Sequence, residues 1–166
     1  IPIQKPYIIA VERLEETQKD ITTLLKAYKI LIQKYDIEEK LFIIGEGKSR
    51  KELEDLQRKL NLQEKACFMG FIQNPYPWIQ KARLFVLSSK FEGFGNVLVE
   101  AMILNTPIVS TDCPTGPKEI LANGKAGILT PVGNEEFLAE QIHQLLTNRH
   151  LREEIETQAS QQVENF

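Results

Sequence analysis

The sequence predicts an α/β domain built on a doubly wound, mainly parallel six-stranded sheet with helices on both faces. Three observations predict this fold class. Short apolar runs alternate with longer segments whose apolar residues recur at helical spacing. The runs are almost continuously apolar, as expected for strands covered on both faces. Glycine and polar residues follow the runs, at the edge where sheets of this kind bind their ligands.

Six apolar runs are predicted as strands. Gly45 ends the second of them and Gly70 ends the third, while Pro107 precedes the fifth. Helical segments separate consecutive runs, which indicates right-handed crossovers between parallel neighbours. The predicted strands are residues 6–11, 41–44, 67–69, 84–87, 108–110 and 127–129.

Cap residues predict where several helices begin and end. Asp20 is placed as the N-cap of the first long helix, and Asn134 caps a helix near the C-terminus. Ser49 and Glu52 have the spacing of a capping box, and Gly124 is placed as a glycine cap. The helix capped by Asp20 is predicted over residues 21–35, and the one opened by Ser49 carries Leu53, Leu56 and Leu60. Further helices are predicted over residues 75–81, 96–104, 117–123 and 151–166.

Composition sets limits on size, partners and location. The chain has 166 residues, 42% hydrophobic and 26% charged, which suits one globular domain. A net charge of −3 with interleaved signs argues against a nucleic-acid partner. Apolar runs fall short of the roughly 20 residues that span a bilayer. Two cysteines suggest a reducing cytoplasm, with peripheral attachment to a membrane left open. The start at Ile1 suggests an excised domain.

Two carboxylates flank the turn that follows the fourth predicted strand. Glu92 and Glu100 have seven residues between them, and Gly93 and Gly95 lie in the turn. The glycines let backbone amides approach a ligand, and the following helix N-terminus favours an anion. Glu100, about one turn into that helix, has a position from which it could accept hydrogen bonds from paired hydroxyls. This stretch predicts a site for a ligand that carries an anionic group and paired hydroxyls.

These residues resemble the C-terminal domain of glycosyltransferase family 4, the group 1 transferases, whose mark is a glutamate pair separated by seven residues. The resemblance covers residues 6–146 in the family's order, so it is far more specific than the glutamate pair alone. Its other matching segments are 11–14 with Lys19, 24–28, 45–47, 68–70, 105–111, 117–121 and 123–127.

The resemblance implies a Rossmann-like fold, the C-terminal half of a GT-B enzyme, with the whole chain, residues 1–166, as the domain that binds a nucleotide-sugar donor. The acceptor domain would lie N-terminal to it in the same protein. The implied reaction is retaining sugar transfer without a metal or another cofactor, from a donor expected to be a UDP-sugar. Possible acceptors are glycans, lipid-linked glycans and cell-surface polysaccharides.

The resemblance also implies a role for each site residue. Glu92 would contact the transferred sugar as the catalytic residue, and Glu100 would hold the ribose. The predicted pyrophosphate ligands are Arg13 and Lys19, because the leaving diphosphate gains negative charge. Backbone amides of Gly93, Phe94 and Gly95 would bind sugar or phosphate, and Gly70 and Phe71 would contact the base.

One residue departs from the family pattern. Glu12 stands where the family has glycine, and its carboxylate would repel pyrophosphate if it faced the site. Lys19 is also one residue further from Arg13 than is most common.

Two other interpretations of the chain's function stay open: half of a nucleotide-sugar epimerase, or a non-catalytic doubly wound module. A P-loop is excluded because Phe42 stands where its first glycine is required.

Overall fold

The computed structural model describes residues 5–166, and its sheet has the predicted number of strands. All neighbours run parallel, in the order β3-β2-β1-β4-β5-β6. The doubly wound α/β fold predicted from the sequence is therefore confirmed. The strands are β1 Tyr7–Val11, β2 Lys40–Ile44, β3 Ala66–Gly70, β4 Leu84–Leu87, β5 Ile108–Thr111 and β6 Ile128–Thr130.

Helices connect successive strands and cover both faces of the sheet. Short 3-10 turns at Ala122–Gly124 and Val163–Asn165 follow the sixth and eighth helices. No helix within residues 5–166 has the length and apolarity to cross a bilayer. The helices are α1 Glu16–Lys19, α2 Ile21–Tyr35, α3 Arg50–Lys59, α4 Tyr76–Lys81, α5 Asn96–Ile103, α6 Pro117–Ile120, α7 Glu135–Thr147 and α8 Arg149–Gln162.

The two faces of the sheet carry separate hydrophobic cores. On β1, Ile8 belongs to the core beneath α2 and α7, whereas Ile9 belongs to the core beneath α4 and α5. The same alternation places Leu84 in the first core and Phe85 in the second. Successive side chains point to opposite faces of a strand, so a strand covered on both sides must be apolar throughout.

Two predicted helix caps are confirmed. The Asp20 side chain accepts a hydrogen bond from the Thr23 amide at 3.3 Å and begins α2. The Asn134 side chain accepts one from the Phe137 amide at 2.9 Å and begins α7. Both bonds span three residues, so they depend on local sequence alone.

The predicted capping box at Ser49 is wrong. Its side chain makes no cap hydrogen bond to α3. The hydroxyl instead accepts a bond from the Glu16 amide at 3.0 Å and so ties the loop before α3 to the start of α1. The helix predicted over 117–123 is also shorter than expected, because Ala122 and Asn123 adopt positive φ angles of 50° and 57°.

The strand order creates a crevice at one edge of the sheet. The chain moves outward from β1 to β3, then returns to place β4 on the other side of β1. Loops after β1 and β4 therefore leave the sheet in different directions and open a space between them. Ligands bind at such a switch point, beyond the carboxyl ends of the strands. Arg13 and Glu92 lie in these two loops.

Candidate functional site

An open cleft of about 600 Å³ lies at the carboxyl ends of β1, β2 and β3. Charged groups from five separate loops and helices meet in it, together with exposed apolar side chains. A groove of similar volume, about 620 Å³, lies against α8 but away from this edge of the sheet. The cleft is lined by Val11, Glu12, Arg13, Lys19, Ile44, Gly45, Glu46, Phe71, Ile72, Gln73, Pro75, Glu92, Val97 and Glu100.

Lys19 forms a buried ion-pair cluster with two carboxylates. Its Nζ lies 2.5 Å from Glu92 Oε2 and 3.1 Å from Glu12 Oε2. The three side chains are only 11%, 7% and 3% exposed for Lys19, Glu92 and Glu12 respectively. Burial lowers the pKa of Lys19, but the two carboxylates outweigh it and the net pKa is raised, so the ammonium stays charged.

Glu12 faces the cleft. Its carboxyl group therefore does not turn away from the place where a phosphate would bind. Its Oε1 is buried and accepts no hydrogen bond from any residue between 5 and 166. Burial, with a further contribution from Glu92, raises the pKa of Glu12 to about 8, although Lys19 opposes the shift. This carboxyl group is therefore largely protonated at neutral pH.

Contacts between α1 and the loop after β4 hold Lys19 in place. The Lys90 amide donates to the Gln18 carbonyl at 2.7 Å. The Ser88 hydroxyl donates to the Lys19 carbonyl at 3.2 Å. Asp20 follows with a φ of 51°, which turns the chain sharply into α2. Lys19 is thus fixed at its backbone as well as at its ammonium group.

The loop from Phe91 to Gly95, here called the donor loop, is held from the other side by the β5–α6 connection. The Thr115 hydroxyl lies 2.6 Å from the Glu92 carbonyl and 3.0 Å from the Gly93 carbonyl. Gly116 lies so close that an added Cβ would be 1.8 Å from the Phe94 oxygen. Gly93 itself has open space around it, which leaves its backbone accessible to a ligand.

Arg13 and Glu100 add to the charged lining of the cleft. Arg13 is exposed and forms no salt bridge within the described part of the chain. Glu100 projects from the first turns of α5, and its Oε1 accepts a bond from the Tyr76 hydroxyl at 3.4 Å. Phe71, 76% exposed, follows β3 and lines the same cleft.

The structure brings five of the predicted site side chains into one cleft, namely those of Arg13, Lys19, Phe71, Glu92 and Glu100. The other four predicted residues, Gly70, Gly93, Phe94 and Gly95, are not among those that line it. The Phe94 ring packs edge-on against Phe166 at 5.9 Å between centroids, and Gly70 accepts a backbone bond from Gly45 at 2.8 Å. Neither lines the cleft. Gly93 and Gly95 shape the donor loop through their backbone.

Sequence reasoning missed two residues that contribute to the site. Glu46 lines the cleft directly after β2, and its place at a strand end was a usable signal. Thr115, which supports the donor loop, carried no local signal because its partners lie more than 20 residues away. Among residues 5–166, no three His, Cys, Asp or Glu side chains converge as a metal site requires.

Comparison with known families identifies the chain. Residues 1–162 match the family described as glycosyl transferases group 1. The chain belongs to that family. The resemblance inferred from the spaced glutamates and their flanking motifs is therefore confirmed, and it extends over nearly the whole chain of this group 1 domain.

A named relative and two solved structures agree with the family assignment. The group 1 domain is 34% identical over 166 residues to an N-acetylgalactosamine-N,N'-diacetylbacillosaminyl-diphospho-undecaprenol 4-alpha-N-acetylgalactosaminyltransferase of Campylobacter jejuni, covering 100% of this chain and 44% of the relative. A mutant of S. aureus TarM, in complex with Fondaparinux, alpha-GlcNAc-glycerol and UDP, aligns with a TM-score of 0.88 at 27% identity, covering 98% of this chain and 33% of that one.

The second structure is the C-terminal domain of a glycosyl transferase group 1 family protein, LpcC, from Francisella tularensis. It aligns with a TM-score of 0.82 at 25% identity, covering 96% of this chain and 85% of that one. The group 1 domain thus has the fold of GT-B glycosyltransferases. It spans less than half the length of the curated relatives that it matches first.

Proposed function

We propose that this domain binds the nucleotide diphosphate of a sugar donor, and that the complete protein transfers the sugar to an acceptor with retention of anomeric configuration and without a metal ion. One observation carries the proposal. Two cations, Arg13 and Lys19, meet two carboxylates, Glu92 and Glu100, in a cleft at the carboxyl ends of the strands. Cations suit a diphosphate, and carboxylates suit the hydroxyls of ribose and sugar.

The chemistry of the leaving group explains the cations. When the bond between the sugar and the diphosphate breaks, negative charge builds up on the phosphate oxygen. Fixed positive charge in a partly desolvated cleft stabilises that change, and charges already in place need no reorganisation. Arg13 offers a planar fork for two phosphate oxygens, and its lack of an ion-pair partner within residues 5–166 leaves it available. Lys19 contributes a point charge.

The remaining contacts follow from where the side chains lie. Glu100, at the edge of the cleft, accepts hydrogen bonds from the two ribose hydroxyls, with the Tyr76 hydroxyl 3.4 Å away as a neighbour. Glu92, next to the open backbone of Gly93, contacts the transferred sugar. The exposed ring of Phe71 stacks on the base, a contact available to any planar base.

The relatives support the choice of donor and acceptor. The TarM structure contains UDP, so we take a UDP-sugar as the donor and require no further cofactor. The Campylobacter relative is named for a diphospho-undecaprenol acceptor. A lipid-linked or polysaccharide acceptor would bring the complete protein to the cytoplasmic face of a membrane. Since the similar Francisella chain is a C-terminal domain, the acceptor would bind to an N-terminal domain of the same protein.

A nucleotide panel on the 166-residue chain tests donor binding. UDP, GDP and ADP would be added in thermal unfolding experiments to the wild type, Arg13→Ala and Glu100→Ala. Arg149→Ala is the matched control, because Arg149 is exposed on α8 and outside the cleft. A nucleotide at one hundred times its dissociation constant stabilises by about 2.7 kcal/mol, or roughly 5–10 °C at this size.

We expect UDP to raise the melting temperature of the wild type and of Arg149→Ala, but not that of Arg13→Ala or Glu100→Ala. No shift with any nucleotide would refute the donor site and favour a non-catalytic module. The complete protein then tests the reaction. NMR of the product formed from a UDP-sugar should show the donor's anomeric configuration, with a rate unchanged by EDTA. Inverted product or an EDTA-sensitive rate would overturn that part, and rearranged sugar without transfer would indicate an epimerase.

A further inference from the structure

One buried acid in the donor cleft has no part in the proposed function. Glu12 directly follows the carboxyl end of β1. Its carboxyl group lines the same cleft as the two cations. A negative charge at this point would oppose the binding of a diphosphate, so its presence calls for a physical reason. The inference below rests on the proposed function and concerns the state in which that site accepts its ligand.

Backbone contacts fix the position of Glu12 at the end of β1, and Lys19 holds its side chain. The Glu12 amide donates to the Ile44 carbonyl at 2.9 Å, which continues the pairing of β1 with β2 past the end of the strand. Gly45, the next residue along, approaches so closely that an added Cβ would lie 1.7 Å from the Glu12 backbone oxygen. The carboxyl group itself is held by the Lys19 ammonium, 3.1 Å from its Oε2.

The contacts of the carboxyl group are unequal. Oε2 lies 3.1 Å from Lys19 Nζ, whereas Oε1 is buried with no hydrogen-bond partner from residues 5–166. Lys19 is shared with Glu92, which lies closer at 2.5 Å. With both acids ionised, three charges would give the buried cluster a net charge of −1. An unsolvated, half-paired carboxylate is costly, and a proton on Oε1 lowers that cost and removes the net charge.

We propose that Glu12 is a positioning residue that holds Lys19 in the donor cleft and keeps a proton, so that the cleft accepts the donor's diphosphate only while Glu12 is neutral. In that state Oε2 still accepts a hydrogen bond from Lys19, and the cluster presents no excess negative charge to the phosphates. The ligand class is a nucleoside diphosphate or its sugar ester. Proton binding and donor binding are thus linked at one residue.

The charged neighbours of Glu12 support this linkage. Burial raises the pKa of Glu12 to about 8, with Glu92 adding to the shift and Lys19 opposing it. Burial also raises the pKa of the Cys113 thiol, which faces the cluster from the loop after β5 and stays neutral at pH 8. Lys19 stays charged over the same range because its pKa is raised. The other charged groups lining the cleft are Arg13, Glu46 and Glu100.

The sign of the effect follows from linkage. Below pH 8 Glu12 is mainly neutral, and diphosphate affinity is at its full value. As pH rises through 8 the free protein loses this proton, and the ligand must restore it in order to bind. The affinity then falls by up to about tenfold for each further pH unit. UDP itself adds no slope, because the last pKa of a phosphate group is about 6.

Calorimetric titration of the 166-residue chain with UDP between pH 6.5 and 9.5 tests the proposal. For the wild type we expect a nearly constant dissociation constant up to pH 7.5 and a rise of about thirtyfold by pH 9.5. Glu12→Gln keeps an oxygen for Lys19 and cannot ionise, so its affinity should not change with pH. Glu46→Gln is the matched control: it removes a half-exposed carboxylate from the same cleft and should keep the wild-type pH profile.

Proton uptake gives a second readout that needs no variant. Titrations of the wild type in two buffers with different ionisation heats should show about one proton taken up per UDP at pH 9.5 and none at pH 6.5. A flat wild-type profile without proton uptake would overturn the inference while leaving UDP binding intact. The inference would also be overturned if the UDP affinity of Glu12→Gln depended on pH in the same way as that of the wild type. No UDP binding at any pH would overturn the proposed donor site, and this inference with it.

Discussion

Gly116→Ala should displace the donor loop, because the loop after β5 has no room for a side chain. Gly116 has a φ of 97°, and an added Cβ would lie 1.8 Å from the Phe94 oxygen and 2.7 Å from the Phe94 carbonyl carbon. Cβ atoms essentially never approach heavy atoms within 3.0 Å, so the new Cβ and the Phe94 carbonyl must separate by at least a further 1.2 Å. That carbonyl lies in the loop that carries Glu92.

Two costs of Gly116→Ala can be separated: the conformational cost of a side chain at positive φ, and the steric clash with Phe94. A side chain at a positive φ costs roughly 1–2 kcal/mol by itself. Gly124 supplies the matched control, since its φ is 92° and an added Cβ there meets no heavy atom within 4 Å. Gly124→Ala should therefore lose only the conformational cost, about 2–8 °C in melting temperature for a domain of this size. Gly116→Ala should lower the melting temperature further, because the clash with Phe94 adds to the conformational cost.

Nucleotide affinity is the decisive measurement. A displacement of about 1 Å at a binding site can cost on the order of a hundredfold in function. We expect Gly116→Ala to weaken UDP binding at least tenfold and Gly124→Ala to leave it unchanged, both measured by titration below the melting temperature. Equal melting temperatures and equal affinities for the two variants would show that the β5–α6 connection does not hold the donor loop.

Two further predictions concern stability. Ionising Glu12 opposes folding, because its pKa lies near 8 in the folded chain against an ordinary 4.5. The neutral Glu12 side chain adds to the free energy of unfolding, and this contribution is fully present below pH 4.5. It is lost as pH rises from 4.5 through 8, at about 1.4 kcal/mol per pH unit. Glu12→Gln should thus have a higher melting temperature than the wild type at pH 8, and the difference should shrink towards pH 5. A difference in melting temperature that stays constant with pH would contradict this. Asn134→Ala should lose about 1 kcal/mol, or 2–4 °C, in thermal unfolding, whereas Asn134→Asp should keep the cap.

Features that depend on neighbouring residues could be predicted from the sequence. The strand Leu84–Leu87 was predicted at both ends because four apolar residues between polar ones can only be buried. The caps at Asp20 and Asn134 were predicted because each bonds an amide three residues away. The helix α1 was missed, since four residues are too few to show a helical period. Ser49 was misread because a distant amide, not its own helix, takes its hydroxyl group.

The sequence by itself determined the fold class, the family and the loops that form the candidate site, because periodicity and motif spacing are written along the chain. The tertiary structure alone decided which side chains meet. Lys19 and Glu92 are 73 residues apart and become partners only because β4 lies beside β1. Glu12 and Glu92 likewise share the Lys19 ammonium only in the folded chain. Such contacts depend on strand order and loop packing, which no local pattern encodes.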